Sequence, residues 1–92
     1  MTLSESDVHW LLTMDRFKKT EQQWESCSEK RLIAPDLCQR IELLFKVLRR
    51  FLNSVPHTSE NRCKYYKHAI TLSFLMTKAE LEIGIPVENI SV

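Results

Sequence analysis

"PDLCQRIELLFKVLRRFLNSVP", Pro35 to Pro56, carries the clearest structural instruction in this 92-residue chain. Leu37, Ile41, Leu44, Leu48, Phe51 and Val55 recur at steps of four and three, and Phe45 and Leu52 widen the stripe. At about 100° per residue these side chains gather on one side of a helix. Gln39, Glu42, Lys46, Arg49, Arg50 and Asn53 gather on the other. Proline is tolerated in the first helical turn and forbids continuation at the end, so Pro35 and Pro56 bracket a helix over about 35–54. One apolar face on one helix must be buried against something else.

The flanking segments supply the partners. Upstream, Ser4 or Ser6 can cap a first helix, with Glu5 and Asp7 favouring its positive end. Trp10, Met14, Phe17 and Trp24 form its stripe, and the spacing predicts a helix over about 5–31. Glu21 interrupts that stripe between Phe17 and Trp24, which is the pattern of a boundary carboxylate reaching solvent or a basic neighbour. Downstream, Thr58 or Ser59 can cap a third helix over about 59–83, with Tyr65, Ala69, Leu72, Met76, Ala79 and Ile83 as its stripe. Gly84 follows the last apolar residue, and glycine takes the left-handed conformation that closes a helix at little cost. Ile85 can then fold back on the last turn, and Pro86 blocks continuation.

Three helices of ~20–25 residues are roughly 30–38 Å long at 1.5 Å per residue, and short connectors make neighbours antiparallel. The expected fold is therefore an all-α, antiparallel three-helix bundle of long helices with a short extended C-terminal tail, 84–92, in a single domain, 1–92. Its core is expected to rest on Trp10, Phe17 and Trp24, on Ile41, Leu44 and Leu48, and on Leu72 and Met76.

Composition agrees with one small core. Hydrophobic residues make up 43% and charged residues 27%, which separates the chain from disordered sequences. One glycine and three prolines are too few for the turns of a β-sandwich or barrel. No apolar run approaches the roughly 20 residues of a membrane span, and the N-terminus lacks the basic start and apolar block of a secretory signal. Cys27, Cys38 and Cys63 are odd in number and embedded in apolar patterns, as expected of reduced, buried thiols in an intracellular, cytoplasmic or nuclear protein.

Chemistry is sparse. His57, Cys63 and His68 are close in sequence but lack the paired ligands of a zinc site, and Cys63 and His68 lie about 140° apart around a helix. No nucleophile–base pair or glycine-rich loop is recognisable, so neither catalysis nor a cofactor is expected. Charge is unevenly spread: residues 1–29 carry −3, residues 30–67 carry +6 and residues 68–92 carry −2. Lys46, Arg49, Arg50, Arg62, Lys64 and Lys67, with Tyr65 and Tyr66 among them, could meet phosphates and stack on bases. The acidic flanks would oppose a polyanion, and an acidic protein partner suits the same patch. The second helix, basic and apolar by turns, has its apolar side committed to bundle packing, which leaves little for a membrane surface.

The third helix carries more apolar surface than a bundle position needs. Besides its core stripe it presents Cys63, Tyr66, Ile70, Phe74 and Leu81, with Ile70, Phe74 and Leu81 about 140–180° from the core direction. One layer of neighbours cannot bury both edges. The sequence thus predicts a non-catalytic interaction module, an adaptor or scaffold, in which Tyr66, Ile70, Phe74 and Leu81 meet a partner helix or a second copy. A nucleic-acid-binding accessory domain working through residues 30–67 is the alternative.

Overall fold

The computed structural model describes residues 4–84. They form three α-helices, α1 (Glu5–Glu25), α2 (Pro35–Ser54) and α3 (Ser59–Ile83), with a 3-10 segment, Ser28–Leu32, between α1 and α2. The fold is an all-α three-helix bundle. The tail expected over 84–92 lies, from Ile85 onward, outside the described residues.

Caps form where the sequence places them. The Ser4 side chain accepts from the Asp7 backbone N–H, and Thr58 does the same for Asn61, each satisfying an orphan donor of a first turn. Gly84 ends α3 at φ 73°, and its N–H donates to the Glu80 carbonyl.

Polar links at the two ends fix the topology. The Trp10 indole donates to the Thr58 carbonyl at 3.1 Å and the Ser6 hydroxyl to the His57 carbonyl at 3.0 Å, so α1 and α3 begin side by side. The His57 ring stacks on Trp10 with centroids 4.8 Å apart. At the opposite end the Ala34 N–H donates to Glu82, which places the start of α2 beside the end of α3. The chain runs up, down and up, in a body 47 × 24 × 16 Å.

The first helix is shorter than its periodicity suggests. Rather than running to about Arg31, α1 ends at Glu25, where the Ser26 N–H donates to the Gln22 carbonyl and the Cys27 N–H to the Trp24 carbonyl. Cys27 then adopts an extended backbone, and Cys27 and Ile33 are both buried at this end of the bundle. Continued as a helix, the two would point about 120° apart. The break lets both apolar side chains close one core, which outweighs a few further helical hydrogen bonds on a polar segment.

The core holds Trp10, Phe17, Trp24, Ile41, Leu48, Leu72 and Met76, as expected, together with Phe45, Leu52, Tyr65 and Ala79. Leu44 is the exception: it is half-buried at the edge, and its neighbour Phe45 takes the interior place. The reason lies in helix spacing. The backbones of α2 and α3 approach closely, whereas α1 stands off by the thickness of its aromatic side chains. Phe45 fills that wider seam, tilted against Phe17 at 5.8 Å between centroids. Leu44 is left at the outer mouth of the narrower one.

Candidate functional site

The exposed edge of α3 is an apolar feature that bundle packing does not use. Ile70 is 61% exposed, Phe74 76% and Leu81 78%. Four-residue and seven-residue steps return to nearly the same angle on a helix, so the three side chains line up along one edge. Tyr66 lies toward α1, 46% exposed, with its hydroxyl 3.3 Å from that of Thr13. Of the four candidate partner-binding residues, three form a continuous outward row and Tyr66 flanks it. Cys63 corrects an expectation. It is exposed, one or two turns before Tyr66 and Ile70, whereas Cys27 is buried and Cys38 half-buried. Its core-like pattern belongs to the outer edge of α3, which repeats with the same period as the inner one.

The basic candidates do not gather into one phosphate-binding surface. Arg49 turns toward α1 and bonds Glu21, which answers why a carboxylate interrupts the α1 stripe. The guanidinium's pKa is raised above its ordinary value by that hydrogen bond first and by the Glu21 charge second. Lys64 pairs with Glu60 at 3.6 Å, one turn away on the same helix. Arg62 is half-buried, with Nη1 shielded and without a hydrogen-bond partner among the described residues. Lys46, Arg50 and Lys67 are exposed. Tyr65, which had been available in sequence for base stacking, is buried edge-on against Phe17, and burial raises its hydroxyl pKa.

A second element of the surface comes from α2. Leu43 and Val47 are 62% and 48% exposed and sit one turn apart on the flank of the α2 core stripe. With Arg40, Leu44, Thr71 and Leu75 they line a trough of about 360 Å³ between α2 and α3. The trough continues along the same seam past Lys78 and Glu82. Sequence reasoning missed this groove. A signal existed in the apolar pair Leu43 and Val47 among polar residues, but which helix would lie beside them was not written locally.

Among the described residues no group of His, Cys, Asp and Glu is arranged to hold a metal ion, and no helix is long and apolar enough to cross a membrane. The chain matches no known family model, no curated protein and no solved structure.

Proposed function

We propose that the chain is a non-catalytic protein–protein interaction module of the cell interior, an adaptor or scaffold that associates through the outer edge of α3. The observation that carries this reading is the row Ile70, Phe74 and Leu81, left in water by a bundle whose core is already complete. Exposed apolar rows of this extent are costly in a solvated monomer and mark interaction sites. Phe74 sits mid-row and is the natural anchor, because aromatic side chains in desolvated centres carry a disproportionate share of binding energy. The nucleic-acid alternative draws less support: Arg49 and Lys64 are engaged within the chain, and Tyr65 is inside.

The test is Phe74→Glu. Since Phe74 makes no core contact, the variant should keep its helical circular-dichroism signal and melting temperature. It should lose association, read as a fall to monomer mass in sedimentation or as loss of a partner captured by the wild-type chain. Association that survives the substitution would remove the α3 edge from the interface. Unfolding of the variant would place Phe74 in the core.

A further inference from the structure

We infer that the α2–α3 trough and the α3 edge together form a docking groove for an acidic amphipathic helix. The inference rests on the interaction-module reading and specifies the chemistry of the partner. Two observations carry it. The first is shape. The trough lies one helical step from Phe74, since Thr71 and Lys78 are its neighbours at i−3 and i+4. From Thr71 to Glu82 it follows three turns of α3, about 17 Å at 1.5 Å per residue, which suits a partner helix of similar length.

The second observation is charge. Arg40 and Lys78 line the seam, Arg50 lies one turn from Val47, and Lys67 lies one turn from Thr71. All four are exposed, and none makes an ion pair among the described residues. Two of these cations belong to α2 and two to α3, so the apolar floor is flanked by positive charge on both sides. The acidic residues of the seam, Asp36 and Glu82, are confined to its far end, where Glu82 already accepts the Ala34 N–H. A helix with apolar residues at three- and four-residue spacing and carboxylates on both flanks complements this surface in shape and sign.

Other occupants fit less well. A second copy would bring the same net-positive rim rather than carboxylates on both flanks. A nucleic acid would leave Leu43 and Val47 unused at the middle of its contact. An anionic membrane could touch the outward row of Ile70, Phe74 and Leu81 but would not enter the trough that Leu43, Val47 and Leu75 line.

The probes are a designed 18-residue helical peptide with leucines at that spacing and glutamate on both flanks, and its counterpart with lysine in place of glutamate. Binding of each labelled peptide to the full chain is followed by fluorescence anisotropy at two salt concentrations. The glutamate peptide should bind at least about tenfold more tightly, since two or more ion pairs of modest strength separate the two peptides. Lys67→Glu combined with Lys78→Glu should reverse that preference, and both substitutions lie at exposed positions where folding is not at stake. Equal binding of the two peptides, or a preference unmoved by the double substitution, overturns the acidic-partner inference. If Phe74→Glu still abolishes binding in that case, the α3-edge reading stands without it. Failure of both peptides to bind, with association of the chain with itself lost in Phe74→Glu, assigns the face to a second copy and overturns the inference. So does lysine-dependent binding of a single-stranded oligonucleotide or of phosphatidylserine vesicles in place of the peptide.

Discussion

At Gly84 the consequence of one missing β-carbon can be isolated. A Cβ built there meets nothing within 4 Å, so the penalty of Gly84→Ala is conformational and comes from φ 73° alone. Loss of about 1 kcal/mol is expected, measured by denaturant unfolding, with the α3 contacts otherwise intact. The three thiols, which share a residue type but not an environment, should separate in the same way. Cys63 is exposed on the outer edge of α3 and should be alkylated first by a maleimide at neutral pH. Cys38 should lag because burial, followed by the nearby Glu42 charge, raises its pKa and depletes the thiolate that reacts. Its rate should therefore climb at higher pH than that of an ordinary thiol, and Cys27 should react only when the chain opens. A Cys38 rate equal to that of Cys63, read by mass spectrometry of the labelled chain, would contradict this placement.

For whole elements, α2 shows how a correct helix can hide an uncertain face. The stripe from Leu37 to Val55 was legible because every contributor lies within three or four residues of the next. Whether Leu44 or Phe45 reaches the interior was not legible, because the two flank the stripe almost symmetrically and the choice depends on the neighbouring helices. The resulting difference is measurable. Phe45→Ala should cost about 3–5 kcal/mol as a cavity in the aromatic seam. Leu44→Ala, at the half-buried mouth of the trough, should fall near or below the lower bound of the roughly 2–5 kcal/mol range for buried leucines. Equal losses in thermal or denaturant unfolding would return Leu44 to the core. The early end of α1 has a similar origin. Its helical pattern continues past Glu25 in one dimension, but Cys27 and Ile33 are satisfied only at a bundle end that α2 and α3 help to build.

The whole molecule is a rod with one face more apolar and more basic than its stability requires. The outer row of α3 was visible in sequence as a second period on a single helix, and among the described residues that row is exposed. Phe74→Glu is thus expected to separate association from folding, while Phe45→Ala damages folding directly. Periodicity, caps and stops came from the sequence by itself, because each is set by residues within about one helical turn: Ser4 and Thr58 at helix starts, Gly84 at an end, and the apolar spacing between them. They determined three helices, their order and most of the core. Tertiary structure alone decided how far apart those helices lie. The aromatic side chains of α1 open one seam and close packing of α2 on α3 narrows the other. That difference drew Phe45 inward and left Leu44 at the edge. It also brought Leu43 and Val47 beside Thr71 and Leu75, residues more than twenty positions away in the chain, to make a groove that no local spacing encodes.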